Sequence, residues 1–154
     1  MDSEIAKIYG NQLRVRVCGL CRQGDRLLLV NHHSVAKKDF WAPPGGGMAF
    51  GDSIADTLRR EFLEETNLAI EVGPFAFGCE YLNPPLHAVE LFFEVTVKGG
   101  QLKRGYDPEL QIIQDAAFLS PSEIVSLPPD HLHGIFQHYH QAEQLRNLKG
   151  FYRI

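Results

Sequence analysis

Residues 53–66 read SIADTLRREFLEET, and a conflict inside this stretch narrows what the chain can build around it. Apolar side chains recur at helical spacing. Ser53 can cap the first turn, with Asp56 three residues on in a capping-box-like pair. At 100° per residue, Ile54, Ala55, Leu58 and Phe62 fall within about 100° of arc and form a core-facing stripe. Glu61, Glu64 and Glu65 occupy an arc of about the same width that overlaps the stripe, Glu65 falling between Ile54 and Leu58. The helix must bury one side against another layer, yet three carboxylates border that burial.

Acids on a helix most often form a solvated face. Two costs weigh against that reading here. Like charges at i, i+3 and i+4 repel, and acids near a helix C-terminus oppose the macrodipole. A divalent cation reverses both costs, because hard ions such as Mg²⁺ take carboxylate oxygens and bridge to phosphate oxygens. Upstream, Pro44-Gly45-Gly46-Gly47 is expected to turn tightly and approach a ligand closely, since glycine tolerates positive φ and carries no side chain.

The rest of the chain supplies the layers. QLRVRVCGLC alternates like a strand, a Gly24-Asp25 turn leads to a second strand, RLLLVNH, and SVAKKDFWAPPGGGMAFGD is mostly loop. LAIEVGPFAFGCEYL and HAVELFFEVTV are strands divided by the NPP turn at Asn83–Pro85. A polar loop, KGGQLKRGYDPE, precedes the strand IIQDAAFL, a short helical turn is expected over Pro121–Leu127, and a last helix over residues 131–148. The order β-β-loop-α-β-β-β-α predicts an α/β or α+β sandwich with helices on a mixed sheet. At 154 residues the chain is expected to be one domain, 1–154, large enough to bury a core.

A net charge of −4 argues against a general binder of nucleic-acid polymers, which needs a basic surface to displace counterions. No apolar run is long enough to span a bilayer, and MDSEIAKIYG lacks a signal peptide's apolar centre, so a cytoplasmic location is expected. Cys18 and Cys21 form a C-x-x-C, but an offset of three within a strand sends them to opposite faces. With no second pair nearby they read as packed or edge thiols rather than half of a zinc site. Cys79 stands alone, and a reducing compartment fits.

The 23 residues from Gly46 to Leu68 resemble the Nudix box of the MutT-like hydrolases: Gly, five residues, Glu, seven residues, Arg-Glu, an aliphatic, any residue, Glu-Glu, any residue, Gly, an aliphatic. Gly46, Arg60, Glu61, Glu64, Glu65 and Leu68 match as they stand, Phe62 is an apolar substitute, and WAPPGGG resembles the usual approach to the box. Asp52 replaces the Glu and Asn67 the second Gly. Asn is the next-best residue in a left-handed helix end, whereas Asp52, a methylene shorter, puts its supporting contact at stake.

The resemblance implies a Nudix-type α/β/α sandwich with a mixed β-sheet. It implies hydrolysis of the pyrophosphate bond in a nucleoside diphosphate linked to another moiety X: a nucleotide sugar, an ADP-ribose-like compound or a nucleoside triphosphate. Mg²⁺ is the implied cofactor, with Mn²⁺ able to substitute. Its ligands would be Glu61, Glu64, Glu65, a backbone carbonyl at Gly45 or Gly46, and Glu109, for which a solvated loop acid is an equal reading. One glutamate, often the one after the Arg and here Glu61, would take the proton from water, and Arg60 would orient a neighbouring carboxylate. The partner is then a small nucleotide, with no nucleic-acid polymer and no membrane, and a homodimer is permitted. A Nudix-fold sensor that binds without cleaving is the alternative, and a diphosphate isomerase is not excluded by the box.

Outside the box, Arg14 and Arg16 alternate with Val15 and Val17, so they share a strand face that meets phosphate or base, or else an exposed edge. Phe40, Trp41 and Tyr81 are either base platforms or core. Pro84 or Pro85 lies where ADP-ribose-type relatives place a proline, which the NPP turn explains equally well. His131, His133, His138 and His140 lack acidic neighbours in sequence and read as surface residues.

Overall fold

A short helix that the sequence pattern did not announce, α1 (Ser3–Tyr9), leads into the alternating strand β1 (Gln12–Gln23), and the apolar run RLLLVN forms β2 (Arg26–Asn31). The computed structural model describes residues 3–32, 38–103, 105–107, 112–138 and 144–154. β1 and β2 pair only beside their turn, Arg22 opposite Leu27 and Gln23 opposite Arg26. Beyond that they part. Two short strands enter the gap, β3 (Trp41–Ala42) on β2 and β4 (Gly45–Gly47) on β1.

Helix α2 (Ile54–Thr66) follows. Ser53 caps it by accepting from the Asp56 N–H at 3.0 Å, while the Asp56 carboxylate turns to Arg59 at 3.3 Å. β5 (Leu68–Asn83) and β6 (Leu86–Gly100) form a long antiparallel hairpin around the expected proline turn, and β6 runs parallel to β1. β7 (Gly105–Asp107) and β8 (Ile112–Leu119) extend the sheet beside β2. A terminal strand, β9 (Phe151–Arg153), joins β5 in parallel. The sheet is mixed, in the order β7-β8-β2-β1-β6-β5-β9.

Both faces of the sheet are covered. Leu58 and Phe62 of α2 pack with Val17, Cys21, Leu28, Ile70 and Val95 on one side. On the other, Cys18, Leu20, Phe77 and Phe92 pack beneath Ile124 of α3 (Pro121–Ser126), Ile135 and Phe136, and Leu145 of α4 (Gln144–Asn147). Cys18 and Cys21 thus face opposite layers, and both are buried free thiols, as is Cys79. The result is the expected α/β/α sandwich. Among the described residues no helix is long and apolar enough to cross a membrane.

The single helix expected over residues 131–148 does not form. Pro129–His131 and Gly134–His138 are 3₁₀ turns, and among the other described residues of the stretch Gln144–Asn147 is α-helical, residues 139–143 lying outside the described residues. Leu132 and His133 are extended instead, because Leu132 bridges to Trp41 and the His133 N–H donates to the Trp41 carbonyl at 2.8 Å. This bond comes from a distant strand, and helical periodicity carries no trace of it.

Candidate active site

The site lies where β1 and β2 part. β4 is extended there, with Gly45 opposite Cys18, Gly46 opposite Val17 and Gly47 opposite Arg16. The tight turn expected at these glycines is absent. Positive φ occurs at Gly24, Gly51, Gly100 and Gly150, not at Gly45–Gly47. Glycine is needed for closeness. A Cβ on Gly46 would fall 2.5 Å from the Glu61 carboxyl carbon, and one on Gly45 would strike the Val17 carbonyl oxygen. Helix α2 can therefore lay its acids directly against the backbone of β4.

Glu65 is buried at 3% exposure, as its place within the apolar stripe required. It accepts from the Gly45 N–H and is hydrogen-bonded to Glu61, while its Oε2 has no partner. Burial pushes the Glu65 carboxyl well above the usual range, and the charge of Glu61 adds to the shift. Glu61 keeps partial access to solvent, and Glu64 lines the same cleft.

Arg60 spans the outer side of the pair. Its Nη1 is 3.0 Å from Asp52 and its Nη2 is 3.9 Å from Glu61. The shorter acid at position 52 still makes its contact. The hydrogen bond to Asp52, followed by the charge of Glu61, holds the guanidinium above its ordinary pKa.

These donors fit a divalent cation. A buried carboxylate with an unpartnered oxygen, a second carboxylate beside it, and a glycine backbone packed against both are hard oxygen ligands in need of positive charge. Among the described residues no three His, Cys, Asp or Glu side chains already converge as a metal shell. The acids form a pair with Glu64 nearby, and Glu109 lies outside the described residues.

A cleft of about 1220 Å³ runs from this cluster and is lined by Gly46, Arg60, Glu61, Glu64, Glu65, Arg14 and Arg16 together. Arg14 stacks on Tyr9 of α1, its Cζ 3.9 Å from the ring centroid, and reaches beside Gly47. Phe40 and Tyr81 line the cleft, whereas Trp41 packs into the core.

Sequence reasoning missed the inner end. Glu90, with 3% exposure, and His133, with 6%, join there at 2.9 Å, so His133 is neither a surface residue nor without an acidic partner. His32 lines the same end, and burial, aided by Arg16 and His133, lowers its pKa to about 4. One signal was available: Ala88, Glu90 and Phe92 share the inward face of β6, and an acid in that register is out of place unless paired. His133 had none.

An acid cluster that calls for a cation, open to a cleft with two arginines, suits a small anionic phosphoanhydride, and a hydrolase of such bonds is the class it defines. The NUDIX domain family model matches residues 10–141, and the chain belongs to the Nudix family as a pyrophosphohydrolase. It is 28% identical over 119 residues to an ADP-ribose pyrophosphatase of Methanocaldococcus jannaschii, spanning 76% of this chain and 68% of that one. Among solved structures, an ADP-ribose pyrophosphatase from Streptococcus suis aligns with a TM-score of 0.61 at 22% identity, over 90% of this chain and 98% of that one. A UDP-X diphosphatase aligns at 0.68 and 21% identity, over 100% and 76%. At such identities the structural likenesses establish the shared fold.

Proposed function

We propose that this Nudix hydrolase requires Mg²⁺, with Mn²⁺ able to substitute, and cleaves the pyrophosphate bond of a nucleoside diphosphate linked to a group X, ADP-ribose-like compounds first among them. The observation that carries the reading is the buried Glu65, its Oε2 unpartnered, beside Glu61, which packs against the side-chain-free Gly46. Bound through Glu61, Glu64, Glu65 and the Gly46 carbonyl, the cation would offset the charge of the phosphates and acidify a water. Glu109 is proposed as a further oxygen ligand on the family resemblance alone.

The chain's own groups do the rest. Arg14 and Arg16 bind phosphate oxygens across the cleft, and Arg60, anchored by Asp52, keeps Glu61 in place. Glu61, more accessible than Glu65, takes the proton from the attacking water. The water oxygen bonds to phosphorus while the bridging P–O bond breaks, releasing a nucleoside monophosphate and phosphoryl-X. The fully described cysteines are free thiols, which supports a cytoplasmic location. We take residues 1–154 as one domain acting on a small molecule, alone or as a homodimer.

The test is a panel of ADP-ribose, nucleotide sugars and nucleoside triphosphates incubated with Mg²⁺, with products identified by mass. Cleavage of at least one compound that stops in excess chelator is expected. Full activity in chelator would overturn the metal assignment, and binding without turnover across the panel would make the chain a sensor.

A further inference from the structure

Arg16 sits on β1 with Gly47 as its neighbour on one side and Glu90 on the other. It is poorly arranged for stability alone. Its Nη1 is 3.5 Å from Glu90 Oε2, its Nε is buried without a hydrogen-bond partner, and 28% of the side chain remains exposed in the cleft. An orphaned buried donor costs stability rather than adding to it.

Glu90 is fixed from behind. His133 Nδ1 accepts from the Ile135 N–H at 3.1 Å, which leaves the imidazole proton on Nε2, aimed at Glu90 Oε1 2.9 Å away. Cys18 Sγ lies 3.5 Å from the other oxygen. An apolar residue at position 90 would serve the core at least as well, because a buried ion pair seldom repays its desolvation. The exposed member of the cluster is Arg16. A guanidinium is planar, so a carboxylate on one edge sets the direction of the other.

We propose that Glu90, oriented by His133, is a positioning residue that fixes the Arg16 guanidinium so that its cleft-facing edge meets the phosphate oxygens of the substrate. The inference rests on the pyrophosphohydrolase reading of the cleft. Neither Glu90 nor His133 touches substrate; both act through Arg16.

A double-mutant cycle tests it, with wild type, Glu90→Gln, Arg16→Met and the double variant assayed on ADP-ribose or the best substrate of the panel. Glu90→Gln is expected to lower kcat/KM by about 10–100-fold in wild type and by less than about 2-fold once Arg16 is Met, since a residue acting only through Arg16 has nothing left to act on. Equal losses in both backgrounds would make Glu90 merely structural and overturn the proposal. Should Glu90→Gln fail to fold, His133→Phe carries the same cycle. The ring keeps its place against Phe92, 5.8 Å away; the hydrogen bond to Glu90 is lost and the Ile135 N–H loses its acceptor, a stability cost common to both backgrounds that the cycle cancels. Activity lost in Glu61→Gln but unmoved in Glu90→Gln would sink the inference and leave the function standing. If wild type turns over no nucleotide, the functional reading fails instead, and the cycle is read on the Kd for inorganic pyrophosphate with Mg²⁺. Coupling there upholds the positioning role, and additive effects or no binding by wild type overturn it.

Discussion

Glu65 is an acid that folding alone would not put where it is, since its burial and the neighbouring charge of Glu61 both oppose ionisation. Glu61→Gln keeps shape and hydrogen bonding but removes the charge, so it is expected to lower kcat by roughly 10²–10⁴. In chelator its melting temperature should hold or rise as repulsion is relieved. Asp56→Asn is the control: that side chain is exposed and pairs with Arg59 outside the acid cluster, so kcat should stay near wild type. Similar small losses in Glu61→Gln, Glu64→Gln, Glu65→Gln and Asp56→Asn alike would mean a solvated face and no metal site. The glycines separate closeness from folding. Gly46→Ala meets the far end of a flexible side chain, Glu61, which can swing aside. It should melt close to wild type yet lose most activity. Gly45→Ala meets the Val17 backbone, which cannot move, and should cost roughly 2 kcal/mol or more of stability in denaturant titration.

Helix α2 stops at Asn67, which has φ 63 and ψ 21, donates its N–H to the Leu63 carbonyl and donates its amide to the Gln101 carbonyl at 2.9 Å. Asn67→Gly gains backbone ease and loses that amide bond, so its stability should lie within about 0.5 kcal/mol of wild type. Asn67→Val loses the bond and forces a β-branched residue left-handed, at about 1 kcal/mol or more. If both melt alike, backbone conformation does not end this helix. The stop was legible in sequence, and so were the catalytic helix, the first strands and the β5–β6 hairpin, because caps, periodicity and turn residues act within a few neighbours. What escaped was made by distant partners. β9 is three residues long and exists by pairing Phe151–Arg153 with Gly78–Glu80. The residue 131–148 segment looked helical until Trp41 drew Leu132 and His133 into an extended bridge. Likewise the glycines of β4 were read as a turn, although what requires glycine is Glu61 of α2 at Gly46 and the backbone of β1 at Gly45.

The sandwich brings β1, the end of β2, β6 and the link between the two 3₁₀ turns together at the inner end of the cleft, so ionisable groups far apart in sequence become one electrostatic unit: Arg16, His32, Glu90 and His133. This gives the fold a pH dependence that can be worked out in sign. His32 is held neutral, its pKa lowered from 6.5 to about 4 by burial first and then by the neighbouring Arg16 and His133. Between those values the unfolded chain binds a proton that the folded chain refuses, so stability falls as pH drops from 6.5 towards 4. The loss between pH 7 and pH 5 should be roughly 2 kcal/mol. Glu90 acts in the same sense but only at the bottom of that window. Burial raises its pKa, but His133 and Arg16 outweigh burial and hold it well below the usual 4.5, so its contribution begins to be lost as pH falls through 4.5 and goes on being lost below it. Glu65 works in the opposite sense, since its raised pKa makes the cation-free protein more stable as pH falls towards 4.5. The wild-type slope is therefore a difference of two effects, and His32→Phe separates them. Urea titrations in chelator at pH 7 and pH 5 should show His32→Phe gaining on wild type by about 2 kcal/mol at the lower pH, whatever its stability at the higher one. A gap between the two proteins that does not change with pH would mean that His32 is not held neutral at this junction.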